Sequence, residues 1–316
     1  WIGTEEHPFG RDPNSETPGF EVVGDFENAG IGAELIMHKG EVLVTTWGSR
    51  TVAAGLYASN PMPAGGFTKD NKAVFKKVFD AADFDPDPVT ANGWLIGALA
   101  EFDGYVYWGS MHPTGQTYHA LCFFYPKLRG SKEAILKSHR KTSVFRTNFA
   151  NPEKPVTELL YGDKELWAFN GADWELKPNK AGLRPLYGPS GFGELFNDYT
   201  FTLIKWNNKL YLGTFDVSGG VKTIIDENVD VKGSEVLRTV GKQIKEGDFY
   251  PGFDLYRFDS ADSPAKAETL TGFDNPCSNG VRNAIVINGD LYIGTTTDSN
   301  LDYIRGGWHI YRLTAE

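Results

Sequence analysis

Three acidic residues of this sequence lie where carboxylates could take part in acid–base chemistry. Glu34 and Glu101 fall within apolar, strand-like stretches, and Asp216 directly follows another. Two carboxyl groups on either side of a sugar can cleave a glycosidic bond, one as acid and one as base or nucleophile. These residues are therefore the candidate catalytic residues of a glycoside hydrolase or lyase. The alternatives are that the same acids bind Ca²⁺ or are simply solvated.

Two histidines could bind a transition metal. His112 and His119 are seven residues apart, beside Met111, and imidazole with a thioether suits copper. Their spacing matches no helical or strand ligand pair, so loop histidines without a metal are the alternative. Ca²⁺ is the preferred cation, because Asp and Asn oxygens are abundant and nitrogen ligands are few. No organic cofactor is expected, since no phosphate-binding loop or dinucleotide fingerprint occurs.

Polar and aromatic residues flank the strand-like stretches. If the strand ends meet at one rim, these residues would form a mouth for a small-molecule or glycan ligand, with tryptophan rings as stacking surfaces. The alternative is that Asn at these places only makes turns. The candidate ligand-binding residues are Asn28, Trp47, Asn92, Trp94, Trp108, Asn197, Arg282 and Asp298.

A repeated two-strand phrase would position these residues. Each copy has an apolar strand, a tight turn and a second strand, and three copies end in Gly-Thr or Gly-Ser. Asp-Gly and Asn-Gly turns, as at Asp103-Gly104 and Asn288-Gly289, are strong hairpin signals. One hairpin that recurs at long intervals is typical of a radial β array. The copies occupy residues 32–46, 95–110, 199–214 and 281–295.

A second phrase supplies further strands. Residues 253–258 and 308–313 are near copies that share a Tyr-Arg pair, and they are expected to be third strands of four-stranded blades. With the hairpins, they make the chain similar to β-propeller repeat proteins in general. This resemblance implies an architecture and no functional residue.

The predicted fold is therefore one all-β propeller domain over residues 1–316. Five blades are preferred, with residues 159–167 as a degenerate hairpin, and four, six or seven blades are alternatives. Because the last blade lacks a fourth strand, residues 19–26 are expected to complete it and close the ring. Helical insertions are predicted near residues 131–140 and 234–246, where capping residues precede helical patterns.

Composition limits the partners of the chain. A net charge of −10 and a pI of about 5.2 disfavour nucleic acid, whose phosphates this surface would repel. No apolar run reaches the roughly 20 residues of a transmembrane helix. The chain starts at Trp1, which favours a processed, secreted, periplasmic or cell-surface protein. The sequence leaves open whether Cys122 and Cys277 form a disulfide.

The function expected from these features is ligand binding at a propeller rim, with a carbohydrate, another small ligand or a protein as partner. No catalytic signature such as a nucleophile elbow is present. The alternatives are a carbohydrate-active enzyme that uses the channel carboxylates, and a surface protein that binds calcium or copper.

Overall fold

The computed structural model describes residues 22–24, 30–226, 234–243, 250–297 and 308–315. Most of these residues lie in β-strands. The strands are β1 (Ile31–His38), β2 (Glu41–Trp47), β3 (Gly55–Ser59), β4 (Phe75–Asp80), β5 (Leu95–Phe102), β6 (Tyr105–Met111), β7 (Val144–Asn148), β8 (Val156–Tyr161), β9 (Glu165–Phe169), β10 (Trp174–Pro178), β11 (Asn197–Trp206), β12 (Lys209–Asp216), β13 (Leu255–Phe258), β14 (Lys266–Thr269), β15 (Ser278–Ile287), β16 (Asp290–Thr297) and β17 (Ile310–Leu313). The helices are α1 (Pro88–Asn92), α2 (Thr114–Phe124), α3 (Lys132–Ser138), α4 (Ser218–Asp226) and α5 (Ser234–Gly241), with short 3₁₀ turns at Ala81–Asp83, Pro126–Leu128 and Ser190–Gly193.

Fifteen strands belong to one antiparallel sheet, which is divided into four up-and-down groups that we call meanders. The first meander is β1–β4, the second β5–β8, the third β11–β14 and the fourth β15–β17. Neighbouring meanders are joined through single paired residues, such as Trp47 with Leu95. The expectation of an all-β fold is confirmed. The described strands do not close into a ring, so the propeller stays a prediction.

A hydrogen bond that we call the hydroxyl clamp is repeated in all four meanders. The Ser or Thr near the end of each second strand accepts a hydrogen bond from the backbone N–H of the residue at the start of the third-strand segment. This bond satisfies a backbone donor where the chain re-enters the sheet, which explains why the repeated phrase ends in Thr or Ser. The four acceptor–donor pairs are Thr46–Gly55 at 2.9 Å, Ser110–Ser143 at 2.7 Å, Thr214–Asp254 at 2.9 Å and Thr295–His309 at 3.0 Å.

The glycine before the clamp hydroxyl lets adjacent meanders approach. A Cβ at Gly109 would lie 2.3 Å from the Cβ of Thr200, and a Cβ at Gly213 would lie 2.3 Å from the Cβ of Val281. Real Cβ atoms do not come that close. The Gly-Thr and Gly-Ser phrases are therefore packing positions, at which a β-branched side chain of the next meander rests on bare backbone.

The fifth hairpin predicted for residues 159–167 is wrong. Strand β8 pairs with β7 at the outside of the second meander, whereas β9 pairs with β10 in a separate two-stranded sheet. The two runs therefore belong to different sheets. The short sequence between them, Gly162-Asp163-Lys164, has the composition of a hairpin turn. Such local turn chemistry does not show which strands pair.

The predicted pairing of the N-terminal strand with β17 is also not what the described residues show. The carbonyl of Val23 accepts a 2.8 Å hydrogen bond from the N–H of Ala73, and Gly24 forms a parallel bridge with the same residue. A Cβ at Gly24 would lie 3.0 Å from the ring of Phe75, so glycine permits this approach. The remaining positions of the predicted strand, 19–21 and 25–26, lie outside the described residues.

The helices pack together beside the ends of the strands. Helix α1 leads into β5, α2 follows β6, and α4 follows β12. Helices α3 and α5 lie within the two stretches predicted to be helical, and Ser131 caps α3 by accepting from the N–H of Ala134. The helices bury a shared apolar cluster that includes Leu121, Ile135 and Val221. No helix in the described part of the chain has the length and apolarity that a bilayer crossing requires.

Candidate functional site

The first strand of each meander departs from regular pairing at the same level. The register with the second strand breaks between Gly32 and Leu35, between Ile96 and Leu99, between Thr200 and Thr202, and between Val281 and Asn283. Such breaks are typical of β-bulges, which redirect a side chain and often lie next to functional sites. The residues at the four breaks, which we call the bulge residues, are Ala33 and Glu34, Gly97 and Ala98, Phe201, and Arg282.

The charge of Arg282 acts on two other bulge residues. The guanidinium carbon of Arg282 lies 4.9 Å from the ring centroid of Phe201, a cation–π contact. Burial raises the pKa of Glu34, and the positive charge of Arg282 acts in the opposite direction. Glu34 lies on β1 of the first meander and Arg282 on β15 of the fourth.

Aromatic rings support Phe201 from the third meander. Its ring centroid lies 5.2 Å from that of Phe215 and 5.8 Å from that of Tyr199, and the rings of Tyr199 and Phe215 are stacked at 4.9 Å. The bulge in β5 contains Gly97, and the side chain of Met111 packs against it, with its Cε 3.0 Å from where a Cβ would lie. The bulge level therefore combines a carboxylate, a guanidinium and an aromatic wall.

This combination suits a polar ligand with a flat face. A guanidinium can bind a carboxylate or phosphate through two parallel hydrogen bonds, and a carboxylate accepts hydrogen bonds from hydroxyls. Phe201 could carry the apolar face of a sugar or a planar group. A cavity of about 840 Å³ adjoins Arg282 and extends along the fourth meander past Tyr292, Thr296 and Trp308, which is within the range of small-molecule sites.

A second polar region lies at the start of β11, beneath the helices. The Nδ2 of Asn197 donates to Oδ2 of Asp254 at 2.5 Å, and the hydroxyl of Tyr256 donates to the same oxygen at 2.9 Å. Asp216 pairs with Asn197 across the strands and accepts from the N–H of Ser218 at 2.7 Å. Asn197, Asp216 and Asp254 are all buried. We call these residues, with Glu194 and Asp198, the carboxyl cluster.

Burial raises the pKa of three carboxyl groups in the carboxyl cluster. Burial, with smaller effects from Asp254 and Asp216, raises the pKa of Glu194 to about 8. Burial also raises the pKa of Asp254 to about 6, against hydrogen bonds from Asn197 and Tyr256. The pKa of Asp198 is raised by burial and by Asp216. At neutral pH Glu194 is thus mainly a neutral acid, a state suited to proton donation.

The loop before the carboxyl cluster holds an unusual backbone conformation. Gly191, Phe192 and Gly193 all have positive φ, at 62°, 57° and 99°. Left-handed geometry at a phenylalanine costs about 1–3 kcal/mol. The ring of Phe192 stacks on Tyr256 at 3.8 Å, which offsets this cost. Gly272, Phe273 and Asp274 before β15 repeat the same three left-handed residues, so the turn belongs to the repeat.

The three candidate catalytic residues are not brought together. Glu34 is a bulge residue of β1, whereas Glu101 lies near the turn end of β5, where His38 Nδ1 is 2.9 Å from its Oε2. Asp216 lies at the opposite end of the strands, in the carboxyl cluster. The first strands share a direction and register. The three residues therefore lie at three different positions along the length of the strands.

Two of the predicted stacking tryptophans are buried, which corrects the expectation that they would contact a ligand. Trp94 is 1% exposed and donates from Nε1 to Asp85, and Trp108 is fully buried and donates to Thr147. Trp108 stacks on Phe145 at 4.2 Å. Their large rings pack in the core between the first and second meanders. Trp47 is 37% exposed at the end of β2.

The other predicted ligand-binding residues have different surroundings. Asn92 ends α1 and donates from Nδ2 to the carbonyl of Arg50 at 3.0 Å. Asn197 is buried in the carboxyl cluster, and Arg282 is at the bulge level. Asn28 and Asp298 lie outside the described residues.

The predicted metal ligands lie in contrasting environments. His112 is buried at the end of β6, with its ring 4.4 Å from that of Trp94, whereas His119 is exposed on α2. Burial lowers the pKa of His112. Within the described ranges, no group of three or more His, Cys, Asp and Glu side chains is arranged to hold a metal ion. Cys122 and Cys277 are free thiols rather than a disulfide.

Sequence reasoning missed Phe201, Glu194 and Asp254. Aromatic residues and threonines alternate in Tyr199-Thr-Phe-Thr. This alternation was the signal that could have identified Phe201 as a residue on one face of the strand. Asp254 directly precedes Leu-Tyr-Arg in the third meander, and His309 directly precedes Ile-Tyr-Arg in the fourth. This repeated position was the signal for Asp254. Glu194 carries no such signal, because its raised pKa depends on residues that are distant in sequence.

No protein-family model matches this chain, and no curated protein matches it.

Proposed function

We propose that this chain is a secreted, periplasmic or cell-surface ligand-binding protein of propeller architecture, in which the first strands of the meanders surround a channel. The ligand would bind at the bulge residues. The observation that carries this proposal is the contact of Arg282 with Phe201 at the bulge level, the level that Glu34 occupies in the first meander. An Arg–aromatic pair beside a carboxylate supplies opposite charges and a stacking surface in one place.

The four meanders support the propeller part of the proposal. They share the hydroxyl clamp and the bulge level, and the first strands of successive meanders are in contact: β1 with β5, β5 with β11, and β11 with β15. Repeated units that contact only their neighbours around an axis are typical of propellers. Four blades, one of the alternatives from the sequence, match the four described meanders, because the hairpin on which the count of five depended does not form.

The ligand class follows from the side chains. We expect a small molecule or glycan that has an acidic group for Arg282 and a ring for Phe201, with hydroxyls that donate to Glu34. Uronic acids and sialic-acid-like sugars fit this description by their chemistry. A neutral ligand would leave the guanidinium without an anionic partner.

An array of acidic and neutral glycans would test this proposal. We expect binding of acidic members, with at least a tenfold weaker affinity in Arg282→Ala and in Phe201→Ala. The matched controls are Arg312→Ala and Phe123→Ala. Arg312 lies on the outer strand β17 and pairs with Asp290, and Phe123 is an exposed residue of α2. Equal binding by Arg282→Ala and Arg312→Ala would refute the site.

A second candidate function is a carbohydrate-active enzyme, and the raised pKa of Glu34 favours it. A carboxyl group that holds its proton longer than usual, beside a ligand-binding arginine, could act as a general acid. Glu34→Gln should then abolish turnover of a bound acidic glycan while its affinity changes little. Measurable turnover that persists in Glu34→Gln would exclude this role.

Calcium at channel or rim oxygens, and copper at His112 and His119, stay predictions. Elemental analysis of protein purified without a chelator would test both. Stoichiometric copper that is lost in His112→Ala would favour the histidines, and calcium that is lost in Asp216→Asn would favour the carboxyl cluster.

A further inference from the structure

The C-terminal end of helix α2 exposes two large aromatic side chains. On one side of the helix, Tyr118 and Leu121 are buried in the apolar cluster that the helices share. Phe123 and Phe124 follow at 61% and 46% exposure, with their ring centroids 5.3 Å apart in an edge-to-face contact. Adjoining aromatic rings at such exposure are typical of an interaction surface.

Four exposed cations accompany the two rings. The guanidinium carbon of Arg50 lies 5.2 Å from the ring centroid of Phe123, a cation–π contact. Three more exposed cations follow the rings within nine residues along the chain. We call the whole set the aromatic–basic patch, which consists of Arg50, Phe123, Phe124, Lys127, Arg129 and Lys132.

The fold holds the segment after α2 in place. A 3₁₀ turn at Pro126–Leu128 links α2 to α3, and Leu128 is buried at 7% exposure. The hydroxyl of Tyr118 on α2 accepts a 2.7 Å hydrogen bond from the backbone N–H of Gly130. The cations of this segment are therefore carried by a turn that is anchored to the helix, which lowers the entropy lost when a partner binds.

The patch is a positive region on a negative protein. No acidic residue occurs from Gly104 to Lys132, although the chain has 41 acidic residues and a net charge of −10. Within the described residues, neither Arg129 nor Lys132 forms a salt bridge. Glu133, the next acid along the chain, is paired with Lys137 at 2.8 Å. Since charges beyond about 8 Å are largely screened at physiological ionic strength, an approaching surface responds to the patch rather than to the net charge.

Aromatic rings beside long cationic side chains suit a membrane surface. Phenylalanine rings can enter the boundary between lipid head groups and acyl chains, while lysine and arginine contact anionic head groups. A fluid layer of phosphates requires no fixed spacing of the cations, whereas an acidic protein would have to match them with its carboxylates. The exposed rings favour the membrane, because a purely electrostatic contact would leave them in water.

We propose that the aromatic–basic patch docks this protein onto the surface of an anionic lipid membrane. Phe123 and Phe124 enter the head-group region, and the four cations contact lipid phosphates. The inference is independent of any ligand at the bulge residues, because the patch lies on α2, on the turn after it and on the loop after β2.

Vesicle co-sedimentation tests this inference. The protein should bind vesicles that contain phosphatidylcholine and phosphatidylglycerol, and it should bind vesicles of phosphatidylcholine alone at least tenfold more weakly. Two double variants should each weaken binding to the anionic vesicles at least tenfold. One combines Phe123→Ala with Phe124→Ala, and the other combines Arg129→Glu with Lys132→Glu.

Two matched double variants serve as controls. Val156→Ala with Leu186→Ala removes apolar side chains that are 59% and 51% exposed. Lys154→Glu with Lys205→Glu reverses two exposed cations on other elements, with the same change in net charge as the variant of the patch. Both controls should bind the anionic vesicles within twofold of the parent protein.

Fluorescence quenching gives a second measurement that reports insertion. Phe124→Trp keeps an aromatic ring, and its added fluorescence should be quenched by phosphatidylglycerol with brominated acyl chains, whereas that of Val156→Trp should not. Equal vesicle binding by the phenylalanine double variant and its control overturns the proposal, as does binding that is indifferent to phosphatidylglycerol.

Absence of vesicle binding also overturns the proposal, and two further measurements then identify the occupant. A dimer that dissociates in the phenylalanine double variant would indicate a second copy of the chain. Retention on immobilised polyglutamate that is lost with Arg129→Glu and Lys132→Glu would indicate an acidic protein.

Discussion

Thr200 of the third meander rests directly on Gly109 of the second. A Cβ at Gly109 would lie 2.3 Å from the Cβ and the hydroxyl oxygen of Thr200. Thr200 is itself held by a 2.8 Å hydrogen bond between its hydroxyl and that of Thr142, so it cannot move away freely. This contact fixes the spacing between two meanders.

Gly109→Ala should therefore destabilise the protein. We expect a loss of about 1–3 kcal/mol in the free energy of unfolding, as is usual for overpacking a buried site, measured by urea denaturation. Gly32→Ala is the control, because a Cβ there meets no atom within 4 Å and the change should cost less than about 1 kcal/mol. Equal effects of the two substitutions would contradict this account of the packing.

The hydroxyl clamp gives a second prediction. Thr214→Ala leaves the buried N–H of Asp254 without its 2.9 Å acceptor, which should cost about 1–3 kcal/mol. Thr214→Ser keeps the hydroxyl and should recover most of that loss. Both variants can be compared by thermal and urea unfolding. If Ser and Ala at position 214 are equally destabilising, the lost methyl contacts rather than the hydrogen bond account for the effect.

The hairpins and their turns could be predicted from the sequence because the necessary signals are local. Alternating apolar residues and the Asp103-Gly104 and Asn288-Gly289 turns define each strand pair without reference to the rest of the chain. The helix at Lys132–Ser138 follows from Ser131 and Glu133 for the same reason. Helix α2 has only a weak amphipathic pattern, and it was missed because its stability comes from packing against the other helices.

The candidate site was harder to predict, because its features arise from long-range contacts. The sequence predicted that Trp94 would contact a ligand. In the structure it is buried in the core, where it donates a hydrogen bond to Asp85 and its ring contacts that of Phe84. Glu194 acquires its raised pKa from burial and from Asp254, a residue 60 positions away. The bulge level depends on where the pairing between two strands shifts, and the sequence of a single strand does not show that position.

Glu194 should make stability depend on pH in a defined direction. Its pKa is about 8 in the folded protein, above its ordinary value of 4.5, so the folded state holds a proton that the unfolded state has released. Stability is therefore lost as the pH rises from about 4.5 to about 8. Glu194→Gln removes this loss and should gain about 2 kcal/mol relative to the parent between pH 5 and pH 8. This figure is below the full shift, because the side chain is partly exposed.

Urea denaturation at several pH values would measure this dependence. Glu153→Gln, at an exposed carboxylate paired with Lys76, is the control and should leave the pH profile unchanged. A Glu194→Gln profile that runs parallel to that of the parent protein would show that Glu194 titrates normally.

The buried pair of Arg140 and Asp85 gives a fourth prediction. Arg140 Nε donates to Oδ2 of Asp85 at 2.9 Å and Nη2 donates to Oδ1 at 3.2 Å, with side-chain exposures of 5% and 0%. Arg140→Ala leaves a buried carboxylate without its cation and should cost about 3–5 kcal/mol. Arg312→Ala, which removes an exposed pair with Asp290, should cost at most about 1 kcal/mol. Similar losses in the two variants would contradict this difference.

The bulge residues separate recognition from folding. The hydroxyl clamps join strands within each meander and the packing glycines join adjacent meanders, while Glu34, Phe201 and Arg282 lie at breaks in the strand pairing. Point substitutions at these places could therefore accumulate in a lineage with little loss of stability, each altering charge or shape at the bulge level. Such a scaffold is evolvable in small steps, and libraries randomised at these few codons offer a direct route to new binding preferences.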